Sequence, residues 1–454
     1  MAIIFKKKKP VNSAQTFVKR FGHTLPLHPH EAEKLEDDTN ILGNARKQEK
    51  KLLKKCELEF TTSNNFKKAA KTYLTNLRCL QANMIAANHR RPIERRLSLH
   101  QIIERSKVYR VLKKLHEPVV VREIPKQSGP GIRIINDFGP VARAAQRMVV
   151  KLLRITYQPQ DFQYHQLGTP QKIKRAMGLI EKEGYNHITE LDIINYYTSF
   201  NLQELIAKLP LPKEAVEQIV VAKNAEWVTP SGNAYLPFIT KSVPGIPLGS
   251  ASSSEIAIWC IAHLKMLKVR PLVMINHADN FFLFSKAVEP LEFASKALSS
   301  GIAKLPGGQL NLAIKQNTTV DKHFHMLGCW VSREKGKVSA WPSNKNLENL
   351  TVRYDNYSQH AHTKLTAAEK NKDKNLRLEG LQDYLRLRNF VTGWFNAYDF
   401  CIDILGINKD YLFADIEAIR ELYNVTDADL ADVTDQSTYV VIGNYSDNAH
   451  WRNQ

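Results

Sequence analysis

The sequence predicts an α+β protein, in which helices are combined with short antiparallel strands. Apolar runs rich in β-branched residues, such as EPVVVREI and GIRIIND, alternate with stretches of helical spacing, such as ARAAQRMVVKLLRI. Because 43% of the 454 residues are hydrophobic, the chain can bury a large core. We therefore expect about two or three packed units.

The overall charge indicates a polyanionic partner. Lys and Arg number 64 against 45 Asp and Glu, a formal net charge of +19, so we expect nucleic acid first and a membrane surface second. No apolar run reaches the ~20 residues needed to cross a bilayer, and MAIIFKKKKP does not resemble a secretory signal. The five cysteines are scattered without a C-x-x-C pair, which favours buried thiols in a reducing compartment. We expect a cytoplasmic protein whose partner is nucleic acid rather than a membrane.

Composition divides the chain into three parts. Residues 1–96 are strongly basic, with helical spacing in FKKAAKTYLTNLRCLQANMIAA, and predict a basic helical N-terminal extension. Residues 97–342 mix strand-like and helical stretches and should hold the chemistry. Residues 343–454 turn helical again and end in an acidic tail around TDADLADVTD.

The first candidate element is a basic hairpin in VVVREIPKQSGPGIRIIND. Two strand-like runs flank a Gly-Pro-Gly turn, with Lys126 on one side and Arg133 on the other. Cations on facing strands can hold the phosphates of a nucleotide, Arg as a fork and Lys as a point charge. The alternative is a pair of solvated basic residues on a surface hairpin.

The second candidate is an aspartate followed by aromatic residues. In YNHITELDIINYYTSF a strand-like run ends at Asp192, and Tyr196 and Tyr197 follow. Two-metal phosphoryl transfer needs aspartates from separate strands, and Asp192 is a candidate for one of them. The alternative is a helix N-cap.

The third candidate is a loop of glycine, proline and serine that enters a helix, SVPGIPLGSASSSEIAIWCIAHL. Such a loop, with Gly249 near its centre, can lie closely against a nucleotide or a template base. The alternative is an ordinary capped helix start.

The fourth candidate is a hairpin, VMINHADNFFLFS, which carries Asp279 and Asn280 at its tip. Asp279 on a rigid tip suits a divalent metal and would complete the pair with Asp192. The alternative is that Asp and Asn serve only the turn, where both types are common.

These four elements follow one another in the order found in reverse transcriptases. Residues 117–342 resemble that family, particularly its bacterial branch of group II intron, retron and abortive-infection enzymes. IPKQSGPGIRIIND is similar to the fingers motif, LDIINYYTSF to motif A and PGIPLGSASSS to motif B. HADNFFLFS is similar to motif C, and FHMLGCWVS to motif E. FVTGWFNAY further resembles the thumb helix of intron-type enzymes.

The resemblance implies a right-hand polymerase with fingers, palm and thumb, whose palm is an antiparallel sheet backed by helices. It implies that two Mg²⁺ ions are held by Asp192, Ile193 and Asp279. It also implies contacts of Lys126, Arg133, Tyr197 and Gly249 with the incoming nucleotide; these seven residues and Asn280 form the predicted site. Tyr197 matches the bulky residue that excludes a ribose 2′-OH, which favours dNTPs as substrates and DNA as product.

Three departures qualify this resemblance. Motif C ends in Asn280 where relatives carry a second aspartate, and Leu248 stands where motif B commonly has glutamine. The motif D lysine, a proposed general acid, aligns near Thr318, and either Lys315 or Lys322 could replace it.

Such departures are typical of the "unknown group" reverse transcriptases of bacterial anti-phage defence. A noncoding RNA, a partner reverse transcriptase or a second copy of the chain is the expected partner. Two alternatives stay open: a catalytically silent polymerase fold that acts as an RNA-binding scaffold, and an RNA-dependent RNA polymerase.

Overall fold

The computed structural model describes residues 29–63, 65–88, 97–113, 117–125, 131–165, 167–234, 245–265, 272–401 and 409–430. The predicted α+β class is confirmed, with helices and small, mainly antiparallel sheets. The described residues group into two compact units, one within 1–157 and 201–256 and the other within 158–200 and 257–433. The part of the chain with described structure contains no helix that is both long and apolar enough to span a membrane.

The first unit is mostly helical and contains one small sheet. Its helices are α1 (Pro29–Thr62), α2 (Phe66–Leu74), α3 (Leu77–Asn88), α4 (Leu99–Val108), α5 (Pro140–Leu153), α8 (Leu202–Lys208) and α9 (Lys213–Ala215), the last continued by a π-turn at Val216–Val220. Its strands are β1 (Val119–Pro125), β2 (Ile132–Asp137) and β4 (Trp227–Val228). β1 lies in the middle of this sheet, antiparallel to β2 and parallel to β4.

The second unit contains the main sheet. Its helices are α6 (Thr169–Glu183), α7 (Tyr196–Ser199), α11 (Glu289–Ile302), α12 (Asn344–Asn371), α13 (Lys374–Ala397) and α14 (Lys409–Leu422). Its strands are β3 (His187–Ile193), β5 (Leu272–His277), β6 (Asn280–Ser285), β7 (Leu312–Thr319), β8 (Phe324–Met326), β9 (Cys329–Glu334) and β10 (Lys337–Pro342). Helix α10 (Ser253–Ala262) crosses the division between the units.

The main sheet has the order β5-β6-β3-β7 and is antiparallel throughout. Its central strands β3 and β6 carry apolar side chains such as Ile188 and Phe284, which pack with the apolar stripe of α6 and with residues of β9 and β10. Burial of aromatic and β-branched side chains on both central strands explains why the register here is well specified. The sheet therefore holds its strand ends on a rigid core.

The three C-terminal helices α12, α13 and α14 have a core of their own. Leu365 of α12 packs with Tyr384 and Trp394 of α13 and with Ile416 of α14. The five cysteines, all described, are buried and outside any disulfide, as the sequence predicts.

Candidate functional site

The pairing of β3 with β6 brings the two predicted aspartates together. Because the strands are antiparallel, the end of β3 meets the beginning of β6, and Asp192 lies opposite Asn280. The Ile193 N–H donates to the Asp279 carbonyl oxygen at 3.0 Å, which joins the hairpin tip to the end of β3. Asp192 is therefore a strand residue and not a helix cap; the N-cap of the next helix is Asn195.

A strained two-residue turn presents Asp279. Ala278 has φ 52°, in the left-handed region that costs a non-glycine residue about 1 kcal/mol. The buried Asn276 side chain stabilises this conformation, because its Nδ2 donates to the carbonyl oxygens of Ala278 and Asn280, both at 3.0 Å. Strain that surrounding contacts maintain in this way is common at functional sites.

A buried lysine lies behind the turn. Lys172 of α6 donates from Nζ to the Asn276 carbonyl oxygen at 2.9 Å and to the Gln163 carbonyl oxygen at 3.2 Å, and Nζ lies 3.4 Å from His277 Nδ1. Burial lowers the pKa of Lys172 to about 8, and burial followed by the charge of Lys172 lowers the pKa of His277 to about 4. Neutral His277 can therefore accept from the ammonium group.

Sequence reasoning missed Lys172, although a signal was present. Lys172 precedes Ala176 by four residues and Leu179 by seven, so it belongs to the apolar stripe that α6 buries. A lysine in such a stripe must either reach solvent or find buried acceptors. The carbonyl oxygens described above are those acceptors.

A β-bulge places Lys315 in the site. Glu190 of β3 pairs with Gln316 of β7 and Leu191 pairs with Ile314, so Lys315 is the extra residue between two paired positions. A bulge can redirect a side chain relative to the regular alternation of a strand. Lys315 Nζ lies 2.9 Å from Asp192 Oδ1. Of the two lysines that the sequence offers for motif D, Lys315 is the one that reaches Asp192.

Asn280 links the lysine to the second aspartate. Lys315 Nζ donates to Asn280 Oδ1 at 3.0 Å, and Asn280 Nδ2 donates to Asp279 Oδ1 at 3.0 Å. The opposite orientation of the amide would point its NH₂ group at an ammonium and its oxygen at a carboxylate. The neighbouring charges therefore fix the orientation with Oδ1 toward Lys315 and Nδ2 toward Asp279. A continuous chain of polar contacts thus runs from Asp192 through Lys315 and Asn280 to Asp279.

Glu190 adds a third carboxyl group, which sequence reasoning did not single out. It precedes Asp192 by two residues on β3 and therefore lies on the same face of the strand. Burial raises the pKa of Glu190, while the Lys315 ammonium opposes that rise. Gln316 Nε2 donates to Glu190 Oε2 at 2.7 Å. The glutamate therefore lies behind the polar chain rather than at its exposed end.

The aromatic pair after Asp192 divides into a core residue and a site residue. Tyr196 is buried and packs against Phe200, whereas Tyr197 is half-buried. Burial, followed by the nearby Asp279 carboxylate, raises the pKa of Tyr197. The predicted sugar-contacting residue is thus the member of the pair that remains partly accessible.

Of the three remaining predicted residues, Arg133 and Gly249 belong to the first unit. Lys126 lies outside the described residues, and Arg133 is exposed on β2, opposite Ile124 of β1. Gly249 has φ 101°, and a Cβ atom there would lie 2.3 Å from the Asn136 carbonyl oxygen. The backbone N–H and the side-chain Nδ2 of Asn136 both donate to the Leu248 carbonyl oxygen, at 2.8 and 3.0 Å. Close packing of this loop on β2 requires glycine at position 249.

The oxygen atoms at this edge of the main sheet fit a cation. Asp192 and Asp279 supply carboxylate oxygens, Asn280 supplies an amide oxygen, and Ile193 has only its backbone carbonyl to offer. Mg²⁺ is commonly bound through one or two carboxylates, with substrate phosphates completing its coordination. The positively charged Lys315 ammonium group already contacts Asp192 and Asn280, which are two of the side chains that would bind the cation. Within the described ranges, no three His, Cys, Asp or Glu side chains form a metal cage by themselves.

No protein-family model matches this chain, and no curated protein matches it in sequence. The family resemblance therefore depends on the order of the motifs.

Proposed function

We propose that the chain is a reverse transcriptase-like DNA polymerase that adds deoxynucleotides to a 3′ hydroxyl. The observation that carries the proposal is the meeting of Asp192 and Asp279 at one edge of the main sheet. The Asp279 carboxylate also contributes to the raised pKa of Tyr197. Phosphoryl transfer depends on alignment of the reacting atoms. Here one carboxylate is held by strand β3 and the other by the tight turn of the β5-β6 hairpin. We assign the β5-β6-β3-β7 sheet to the palm and helices α12 to α14 to the thumb of a right-hand polymerase.

Two Mg²⁺ ions are the proposed cofactors, with Asp192 and Asp279 as carboxylate ligands and the Ile193 carbonyl as a further donor. When bound, the ions would activate the attacking hydroxyl and stabilise the leaving oxygen. The chain's own residues orient the substrate. The Tyr197 ring would clash with a ribose 2′-OH and so select dNTPs. Among the described lysines, Lys315 best matches the motif D acid, which donates a proton to the leaving pyrophosphate. It would take this role once its ammonium group has moved away from Asp192.

The proposed nucleic-acid partner is RNA, and charge supports it. The net charge of +19 suits a phosphate backbone. The first unit contains a cavity of about 720 Å³ whose lining includes four cationic side chains, those of Lys71, Lys107, Arg110 and Lys113. Lys126, Arg133 and Gly249 remain the predicted contacts of the incoming nucleotide.

The proposed setting is bacterial anti-phage defence, together with a noncoding RNA, a partner reverse transcriptase or a second copy of the chain. The departures at Leu248 and Asn280 support this setting through the resemblance described above. Unconventional priming or templating belongs to the same proposal.

A second candidate function is an RNA-binding scaffold with a silent polymerase fold. One observation favours it: the Lys315 ammonium contacts both Asp192 and Asn280, where a catalytic cation would bind. A permanently held lysine would leave the fold and the basic surface intact while preventing catalysis.

One assay separates these functions. The purified full-length protein and its co-purifying RNA are incubated with Mg²⁺ and labelled dNTPs or rNTPs, and any product is sequenced. We expect DNA product from the wild type and none from Asp192→Asn, which keeps the shape of the side chain but removes its charge. RNA product would instead indicate an RNA polymerase. Absence of product from wild type and Asn280→Asp, with RNA still bound, would leave the scaffold.

A further inference from the structure

Lys315 competes for the same oxygen atoms that the proposed function assigns to a metal. Its Nζ lies 2.9 Å from Asp192 Oδ1 and 3.0 Å from Asn280 Oδ1. Magnesium binds oxygen at about 2.0–2.1 Å, so an ion on the same face of Asp192 would lie within contact of the ammonium. Two cations at that separation repel strongly in a partly buried site. The lysine must therefore move before a divalent ion can bind there.

Exposure identifies the lysine as the partner that moves. The Lys315 side chain is 47% exposed, whereas the Asp192 side chain is 20% exposed. The lysine can turn its ammonium into water around its own rotatable bonds without uncovering the core. Asp192 is on β3, which pairs with β6 on one side and β7 on the other, and its short side chain has no comparable freedom.

Asn280 makes the contact of Lys315 part of a larger arrangement. Its oxygen holds the ammonium, and its NH₂ group donates to Asp279 Oδ1 at 3.0 Å. Movement of Lys315 therefore frees an oxygen on Asp192 and an oxygen on Asn280 together. With Lys315 in place, the four side chains carry two negative charges and one positive charge. Once the lysine leaves, two negative charges face the space between Asp192, Asp279 and Asn280, which we call the metal cleft.

We propose that Lys315 is a built-in competing cation: it occupies the metal cleft in the resting protein, and divalent ions bind only by displacing it. This inference depends on the metal site of the proposed function. Competition by Lys315 lowers the affinity for divalent ions below the value that the two carboxylates alone would give. Occupancy of the metal site therefore responds to the ion concentration and to the substrate phosphates that bring ions with them.

The test measures metal binding without catalysis. Mn²⁺ is titrated into the purified full-length protein, and free Mn²⁺ is followed by its electron paramagnetic resonance signal. We expect Lys315→Met to bind Mn²⁺ at least about tenfold more tightly than wild type, because a like charge is removed from the cleft. Lys315→Arg keeps the charge and should stay close to wild type. Asp192→Asn should lose the site.

Lys322→Met is the matched control for net charge. Lys322 is exposed in the turn between β7 and β8, seven residues after Lys315, so its removal changes the total charge equally. It should leave the Mn²⁺ affinity within about twofold of wild type, because surface charges outside the cleft are screened by salt. If Lys315→Met does not fold, as judged by circular dichroism, Lys315→Gln is measured in its place.

Two results would overturn the inference. Equal Mn²⁺ affinity in wild type and Lys315→Met would show that the lysine does not compete with the metal. Absence of Mn²⁺ binding in both proteins would contradict the proposed metal site. The polymerase assay fails independently of this one. Tighter Mn²⁺ binding by Lys315→Met, together with no nucleotide incorporation by the wild type, would refute the proposed function and keep the competing cation. Incorporation by the wild type, together with unchanged Mn²⁺ affinity in Lys315→Met, would do the reverse.

Discussion

The buried Lys172 should make the stability of the fold depend on pH in an unusual direction. Lys172 is 5% exposed, and burial lowers its pKa from 10.5 to about 8. Between these values the unfolded chain binds a proton at this position that the folded chain does not. The free energy of unfolding should therefore rise with pH across that range, and the ammonium form should cost the folded state about 3 kcal/mol at neutral pH.

The substitution Lys172→Met removes the charge and keeps most of the side-chain length. Between about pH 7.5 and about pH 9.5, wild type should gain about 2 kcal/mol of stability from this site, and Lys172→Met should lose that gain. Urea unfolding, followed by circular dichroism at both pH values, gives the two differences. Loss of the Nζ bonds to the Asn276 and Gln163 carbonyl oxygens lowers stability at both pH values and cancels in the comparison.

Lys174→Met is the control, because Lys174 is on the same helix with a 48% exposed side chain, paired with Asp399. This variant should keep the pH dependence of wild type. Equal gains in stability by Lys172→Met and wild type over this pH range would refute the role of Lys172. A direct measurement is the nuclear magnetic resonance titration of ¹³C-labelled lysine, in which the signal lost in Lys172→Met should titrate near pH 8.

Two further predictions concern single residues of the candidate site. Gly249→Ala should lower the free energy of unfolding by about 3 kcal/mol in urea titrations, since the Cβ atom meets the Asn136 carbonyl oxygen at 2.3 Å and φ is 101°. Gly232→Ala, at φ 85° with nothing within 4 Å, should cost only about 1 kcal/mol, and equal costs would contradict the steric argument. Tyr197→Ala should raise incorporation of rNTPs relative to dNTPs by about tenfold, whereas Tyr197→Phe should not. Unchanged selectivity in Tyr197→Ala would contradict the proposed contact between Tyr197 and the sugar.

Local patterns were sufficient to predict much of the main sheet. β-branched and aromatic residues on both sides of a short polar segment predicted the β5-β6 hairpin, and His277 pairs with Asn280 across its turn. The apolar run before Asp192 predicted strand β3 in the same way. These features depend on neighbours within a few residues, so the sequence contains the information directly.

The contacts of Lys315 could not be predicted, because they depend on a pairing irregularity between distant strands. In a regular ladder the side chains of β7 would alternate between the two faces of the sheet without interruption. The register instead shifts between Glu190 and Leu191, which leaves Lys315 as the extra residue. No local property of LAIKQNTT distinguishes a bulge at Lys315 from regular pairing, so sequence reasoning left Lys315 and Lys322 as equal candidates.

The bulge also gives a physical reason for the amide at position 280. With Lys315 beside Asp192, Asn280 can accept from the ammonium and at the same time donate to Asp279, both at 3.0 Å. An aspartate at position 280 could accept from the lysine but would direct a second carboxylate at Asp279, where repulsion would replace the hydrogen bond. Asn280 is therefore matched to Lys315, and the chemistry of the hairpin tip depends on a residue of β7 as much as on the tip itself.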